Sequence, residues 1–177
     1  RTIEDLEGMI LYAKKTKKAA VIGGGLLGLE AAKAIYDLDQ ETHVLEMAPY
    51  LMPTQLDEQG GKALQKKICE MNIVVHTGSK LGSVVVEDGV IKGVMLTDCF
   101  HAEEYFLELD MLVVSAGIRP RDELARASGI AVGQRGGVVV NERMQSSDPK
   151  IFAIGEVASY KGLCYGLIAP GWDQASV

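Results

Sequence analysis

The sequence is short of the residues on which several kinds of chemistry depend. It holds three cysteines, Cys69, Cys99 and Cys164, and three histidines, His43, His76 and His101, among 177 residues. The cysteines are odd in number and widely separated, with no Cys-x-x-Cys and no His/Cys cluster. A zinc site, an iron–sulfur site and a redox disulfide of the usual spacing are thereby excluded, and the thiols read as structural or incidental. No histidine has a partner close by in sequence, so each is expected to flank a strand rather than to move a proton. A basic surplus is missing too: 18 Lys and Arg stand against 24 Asp and Glu, for a net charge of -6. That balance argues against a nucleic-acid partner or an anionic membrane surface. No uninterrupted apolar run approaches the roughly twenty residues that span a bilayer, and nothing reads as a signal peptide. The cytosol is the expected compartment. With 47% hydrophobic and 24% charged residues, the chain can fill one packed core, or one and a half small domains.

What is present begins with Ala19-Ala20-Val21-Ile22, a short strand that runs into Gly23-Gly24-Gly25-Leu26-Leu27-Gly28 and then a helix. Each glycine has a task in a dinucleotide site: Gly23 permits the tight turn, Gly25 lets the backbone approach a pyrophosphate, and Gly28 lets the helix pack on the sheet. The phosphates would meet unpaired backbone N–H groups near Leu26 and Leu27 at the positive end of the helix. Along that helix Glu30, Lys33, Asp37 and Gln40 are expected on the solvated side, with Leu27, Ala31, Ala34, Ile35 and Leu38 on the packed side. The next strand, Thr42-His43-Val44-Leu45-Glu46, ends in a carboxylate that can accept hydrogen bonds from an adenosine ribose. Such an acid favours NADH and repels the extra phosphate of NADPH, which stays open as a second ligand; the plain alternative for Glu46 is a solvated acid closing a strand.

Elsewhere Thr2-Ile3-Glu4-Asp5 forms a capping signature for a helix to about Lys15, and Pro53-Thr54-Gln55-Leu56-Asp57 repeats it for a helix to about Met71. Gly60-Gly61 weakens the second helix by roughly 1 kcal/mol per glycine relative to alanine, so either packing compensates or a close backbone approach requires them. Ile73-Val74-Val75-His76 reads as a third parallel strand. Leu81 to Val86, an Asp88-Gly89 turn, Val90 to Leu96 and a third run near Tyr105 to Leu107 read as an antiparallel meander. The continuous apolar run Met111-Leu112-Val113-Val114 suits a parallel strand buried on both faces.

The glycine turn, the meander, Val113-Val114-Ser115-Ala116-Gly117-Ile118-Arg119-Pro120 and Ile151-Phe152-Ala153-Ile154-Gly155-Glu156 together resemble the flavin-dependent pyridine-nucleotide–disulfide oxidoreductase superfamily. The resemblance covers nearly the whole chain. Within it, Arg1-Thr2-Ile3-Glu4-Asp5, Leu51-Met52-Pro53-Thr54-Gln55-Leu56-Asp57 and Tyr165-Gly166-Leu167-Ile168-Ala169-Pro170-Gly171 resemble the flavoprotein part of assimilatory NAD(P)H–nitrite reductases. The fold so implied is α/β: a Rossmann-like parallel sheet with an antiparallel β-meander crossover, followed by a partial FAD-domain segment. Residues 1–117 would bind NAD(P)H, and residues 118–177 would be the C-terminal part of a split FAD-binding domain. The resemblance places Glu30 toward the nicotinamide, as against a solvated helix face. It places Gly117 where the backbone meets the dinucleotide, as against an ordinary tight turn. Gly155 and Glu156 correspond to the second flavin motif, with glutamate where aspartate is commoner, as against a strand-ending acid.

Departures from the pattern set further expectations. The adenosine-binding half of the flavin domain, the redox cysteine pair and the cysteines for an iron–sulfur cluster and sirohaem are not in the sequence. The chain opens on Arg1 and stops at Val177, a few residues into a new helix, and is expected to be an inactive fragment of a longer reductase. That enzyme would pass hydride from NADH to FAD, and electrons onward to nitrite, yielding ammonia. The implied partners are the dinucleotide and the FAD and redox domains of the parent chain. The segment from Arg119 onward is expected not to pack fully alone, which suggests a homodimer through its strand edges. Two other functions stay open: a flavin-linked reductase feeding a ferredoxin or rubredoxin, and a non-catalytic nucleotide-binding module.

Overall fold

Thr2 opens the first helix as its sequence dictates. In the computed structural model, which describes residues 2–177, the Thr2 hydroxyl accepts from the Asp5 N–H at 3.2 Å and the Asp5 carboxylate accepts from the Thr2 N–H at 2.9 Å. This reciprocal cap starts α1 (Ile3–Ala13); Arg1, which begins the first of the nitrite-reductase-like patterns, lies outside the described residues. There follow β1 (Lys18–Ile22), α2 (Leu26–Tyr36), β2 (Glu41–Leu45), α3 (Glu58–Glu70) and β3 (Val74–His76). Three antiparallel strands come next, β4 (Ser79–Glu87), β5 (Val90–Asp98) and β6 (Glu104–Glu108), and then β7 (Met111–Val114). The parallel sheet has the order β3-β2-β1-β7, and the meander stands in it as the connection from β3 to β7. Asp88 and Gly89 both have positive φ, 51° and 76°, the hand that a two-residue hairpin between twisted strands requires.

The period-two alternation of the strands separates two cores. Ala19, Val21 and Val44 point to one face and pack with Ala13, Ala32, Ile35, Leu51 and Ile73. Ala20 and Leu45 point to the other and pack with Val94, Leu96 and Leu109 of the meander region. The mixed α/β architecture expected from the sequence is the one observed.

Several local readings are corrected. Leu27, Ala34 and Leu38 are exposed, and α2 rests instead on Gly28, Ala32 and Ile35. The close approach at Gly28 turns the stripe Gly28, Ala32 and Ile35 to the sheet, at i, i+4 and i+7, and Leu27, Ala34 and Leu38 fall outside that stripe. Gln40 is buried rather than solvated. Its amide nitrogen donates to the Ala13 and Thr16 carbonyls at 2.9 and 3.0 Å, and its Oε1 accepts from the Thr16 hydroxyl at 2.9 Å, so a side chain from the loop after α2 satisfies the end of α1. The cap of α3 is Asp57, whose Oδ1 accepts from the Gly60 N–H at 2.8 Å. Gly61 is required by close approach: a Cβ there would lie 2.6 Å from the Tyr50 ring and 2.7 Å from the Leu51 carbonyl oxygen. β7 is an edge strand, and Val114 is 70% exposed; its continuous apolar run does not signify burial on both faces.

The chain divides into two compact units, one ending at Gly117 and the other beginning at Ile118. The second contains α4 (Glu123–Ala127), the parallel pair β8 (Val138–Val140) and β9 (Ala158–Tyr160), and α5 (Ile168–Ala175). It has a core of its own, Ala125, Val138, Val140, Met144, Ala153 and Ala158. Asp122 ties its first helix to its strand region, accepting from Arg126 Nε and the Gly137 N–H, each at 2.8 Å.

Gln40→Leu should keep the volume but strand the Thr16 carbonyl and leave the Ala13 carbonyl to Thr16 alone, lowering stability by about 1–3 kcal/mol. A urea midpoint equal to that of the parent chain would show that Gln40 does not hold the end of α1.

Candidate functional site

The turn after β1 is fixed by contacts that only glycines permit. Gly23 has φ +113°, and a Cβ on it would lie 2.4 Å from the Ser115 carbonyl oxygen. A Cβ on Gly28 would lie 1.9 Å from the Gly23 carbonyl oxygen, so the first turn of α2 sits directly on the end of β1. Gly25 differs: nothing lies within 4 Å of the position its Cβ would take. It is the N-cap of α2 and offers no side-chain acceptor. The first-turn N–H groups, at Leu26, Leu27 and Gly28, therefore point their positive end at open space rather than at a capping oxygen. Leu26 and Leu27 are exposed there, 40% and 59%.

Glu46 stands just past β2, its side chain half-buried. Its Oε2 accepts from the Gly24 N–H at 2.6 Å and its Oε1 from the Ala48 N–H at 2.7 Å. Those bonds aim the carboxylate across the glycine turn. Each oxygen keeps a further lone pair, so acceptor capacity remains for the hydroxyls of a ligand. The Glu46 backbone is bracketed as well: its N–H donates to the His76 carbonyl at 2.8 Å, and its carbonyl accepts from the Ser79 N–H at 2.9 Å.

Gly23, Gly25, Glu46 and Gly117 line one cavity of about 580 Å³, a size usual for small-molecule sites. Gly24 is buried with its N–H committed to Glu46, and Gly28 is buried under the turn. Glu30 is exposed on α2 and is not among the residues lining the cavity. Gly155 and Glu156 belong to the second unit, on a 3₁₀ turn (Gly155–Val157) rather than at a strand end. With Ile168 and Trp172 they line a separate cleft of about 420 Å³. The Gly155 N–H donates to Gln174 Oε1 at 2.7 Å. Among the described residues no cluster of three or more His, Cys, Asp or Glu is placed to hold a metal ion, and no helix is long and apolar enough to cross a membrane.

The cavity walls also contain Met47, Ser79 and Lys80, which carry no motif, and Thr54 and Gln55, which the sequence assigns to a helix cap and a family pattern rather than to a site. A second omission is larger. His43 and His76, read as isolated, are hydrogen-bonded, His43 Nδ1 to His76 Nε2 at 2.9 Å, with stacked rings 5.2 Å apart. The signal was the parallel register, which sets Leu45 beside His76 and so turns His43, two residues earlier on β2, to the same face. Burial pushes the His43 ring below its ordinary value, against the pull of Glu41. Burial, aided by His43 and Lys18, pushes His76 down to about 4.

Because the folded pair resists protons that the unfolded chain accepts, the unfolded state binds more of them between pH 6.5 and about 4. Stability is fully present above that window and is lost as the pH falls through it. His76→Gln should flatten the decline of the urea midpoint between pH 7 and pH 5; a slope equal to that of the parent chain would show that the pair contributes nothing to it.

Comparison with known proteins gives this geometry its family. A model of pyridine nucleotide-disulphide oxidoreductases matches residues 1–176. The NADH nitrite reductase large subunit of Escherichia coli (strain K12) is 49% identical over all of this chain and 20% of its own length. The NAD(P)H nitrite reductase of Bacillus subtilis (strain 168) is 40% identical over all of this chain and 21% of its own. The chain thus spans about a fifth of the length of these relatives. A ferredoxin reductase from Rhodopseudomonas palustris superposes with a TM-score of 0.87 at 28% identity, covering 99% of this chain and 43% of that one. Two independent likenesses, of sequence and of backbone, converge on one conclusion: the chain belongs to the pyridine nucleotide-disulphide oxidoreductase family.

Proposed function

We propose that residues 1–117 bind NADH, that residues 118–177 supply part of an FAD site, and that both belong to a flavoprotein reductase of the nitrite reductase kind. The observation that carries the reading is the open face at Gly25. There the uncapped N-terminus of α2 and the Glu46 carboxylate look into the same cavity region. A diphosphate fits the first, since backbone N–H groups and the aligned peptide dipoles favour negative charge without a basic side chain. A ribose diol fits the second, since an ionised carboxylate only accepts. The same acid disfavours a 2′-phosphate, so NADH is the preferred ligand and NADPH the weaker one.

The second unit fits a flavin in its donor set. Glu156 is exposed beside Gly155, whose φ is +74° and whose missing Cβ leaves open space, so backbone and carboxylate are both accessible to a polyol. FAD, when bound, supplies the hydride acceptor that converts a two-electron donor into a source of single electrons. This chain's own residues bind and orient: Gly23 to Gly28 seat the pyrophosphate, Glu46 anchors the ribose, and Gly117 offers backbone close to the ligand. Glu30 would act from the rim of α2. None is asked to transfer a proton, and the rate gain lies in positioning. Reduction of nitrite to ammonia would belong to the whole reductase, with iron–sulfur and sirohaem centres carried outside this segment and NADH drawn from the cytoplasm.

The likeness to a ferredoxin reductase favours a second reading, in which the same NADH and flavin segment feeds an iron–sulfur protein instead.

Glu46→Arg should weaken NADH binding by roughly tenfold or more and narrow or invert the preference over NADPH, since it removes a charged acceptor and adds a cation. Calorimetric titration of both variants with both nucleotides measures it. Unchanged relative affinities would remove Glu46 from the ribose site, and a folded parent chain that binds neither nucleotide would refute the reading as a whole.

A further inference from the structure

The buried histidine pair is part of a longer hydrogen-bonded chain whose direction can be worked out from one end. Glu41 stays ionised, its carboxyl held below the ordinary carboxylate range first by its bond to Lys18, at 2.9 Å, and then by His43. A carboxylate only accepts, so His43 Nε2, at 3.1 Å from Glu41 Oε1, carries a proton and donates. In the neutral ring Nδ1 is then an acceptor, and it receives His76 Nε2–H at 2.9 Å. By the same logic His76 Nδ1 accepts, from the Tyr105 hydroxyl at 3.4 Å. With its proton so directed, the Tyr105 oxygen accepts from the Ser79 hydroxyl at 2.9 Å. The chain is thus polarised from Ser79 to Glu41, and the Thr77 carbonyl, at 3.5 Å, is a second and longer acceptor for the Ser79 hydroxyl.

Two members of this chain hold the ligand cavity. His76 and Ser79 supply the carbonyl and the N–H that bracket the Glu46 backbone, at 2.8 and 2.9 Å, and Ser79 itself lines the cavity. The charged and titratable groups facing the pair are Lys18 on β1, Glu41 on β2 and Tyr105 on β6, with Glu46 at the end of β2. A proton added at His76 Nδ1 has no acceptor but the Tyr105 oxygen. The hydroxyls must then reverse, so that Tyr105 donates to Ser79, while a cation is placed where burial opposes it.

Resting on the dinucleotide reading above, we propose that Glu41, His43, His76, Tyr105 and Ser79 form a positioning relay for the nucleotide: neutral, it sets Glu46 and Ser79 for binding, and proton uptake by the histidine pair weakens that binding. The residues act through Glu46 and Ser79 and take no part in hydride transfer.

Tyr105→Phe cuts the relay between His76 and Ser79 while keeping the ring, and Ser79→Ala removes the last hydroxyl. NAD⁺, which survives in acid, is titrated calorimetrically into the parent chain and both variants from pH 7.5 to pH 4, the range in which His76 takes up its proton, with circular dichroism confirming the fold at each pH. The parent should bind more weakly as the pH falls. Both variants should bind about three- to tenfold more weakly at pH 7.5 and show a flatter pH profile. Affinities and profiles equal to the parent's overturn the relay alone. Weaker binding with a parallel profile reduces Tyr105 to a packing residue and overturns it likewise. A folded parent that does not bind at pH 7.5 overturns the dinucleotide reading, and the relay's role with it.

Discussion

The first unit depends on a contact that exists because an atom is missing. Gly28 has no Cβ, and the Gly23 carbonyl oxygen occupies the place where one would be, 1.9 Å from its ideal position. That contact sets the distance between the end of β1 and the start of α2. Any side chain there would drive the helix outward, and with it the N–H groups of Leu26 and Leu27. Gly23 is in turn pressed against the Ser115 carbonyl, so the same constraint reaches from β1 across to the end of β7. Two stretches of sequence, Gly23 to Gly28 and the one ending at Ser115, meet at one tightly packed corner, and the cavity opens beside it.

Within that frame the two faces of the parallel sheet carry different loads. One face packs against helices through small and branched residues, Ala19, Ala32, Ile35 and Val44. The other packs against the meander, and on that side lie the histidine pair, Tyr105 and Ser79. A helical crossover could not have supplied this arrangement. It takes a strand beginning at Ser79, immediately after β3, to put a hydroxyl into the cavity wall and a tyrosine from β6 behind it. Glu46 lies at the junction of both systems, joined by its side chain to the glycine turn and by its backbone to β3 and β4.

The parts legible in the sequence were those governed by local rules. The Thr2 and Asp5 cap, the glycine turn, the Asp88-Gly89 hairpin and the strand ending at Glu46 each have a short pattern with one physical meaning. The misread parts were decided by tertiary contact. Gln40 is polar and follows a helix, so its pattern says solvent, yet the carbonyls of Ala13 and Thr16 at the end of α1 draw it inward. Leu27 and Leu38 are apolar at helical spacing, yet the contact at Gly28 turns the stripe through Ala32 and Ile35 inward and leaves both leucines outside it. Met111 to Val114 reads as a central strand because hydropathy does not say which neighbour a strand lacks. His43 and His76 lie 33 positions apart, and only the register of two parallel strands joins them.

The meander has a further consequence for motion. β4 leaves the cavity at Ser79 and reaches Glu87 eight positions on, roughly 26 Å away at the usual strand rise. Of its nine residues only Ser79 is buried, and its pairing with β5 is interrupted by two register shifts on the way. The distal ribbon is thus held mainly by its own ladder, and the proximal end by the sheet beneath it. Amide protons should exchange fastest at the hairpin tip and progressively more slowly toward Leu81, so that the far end can fray and reclose without the nucleotide pocket registering it.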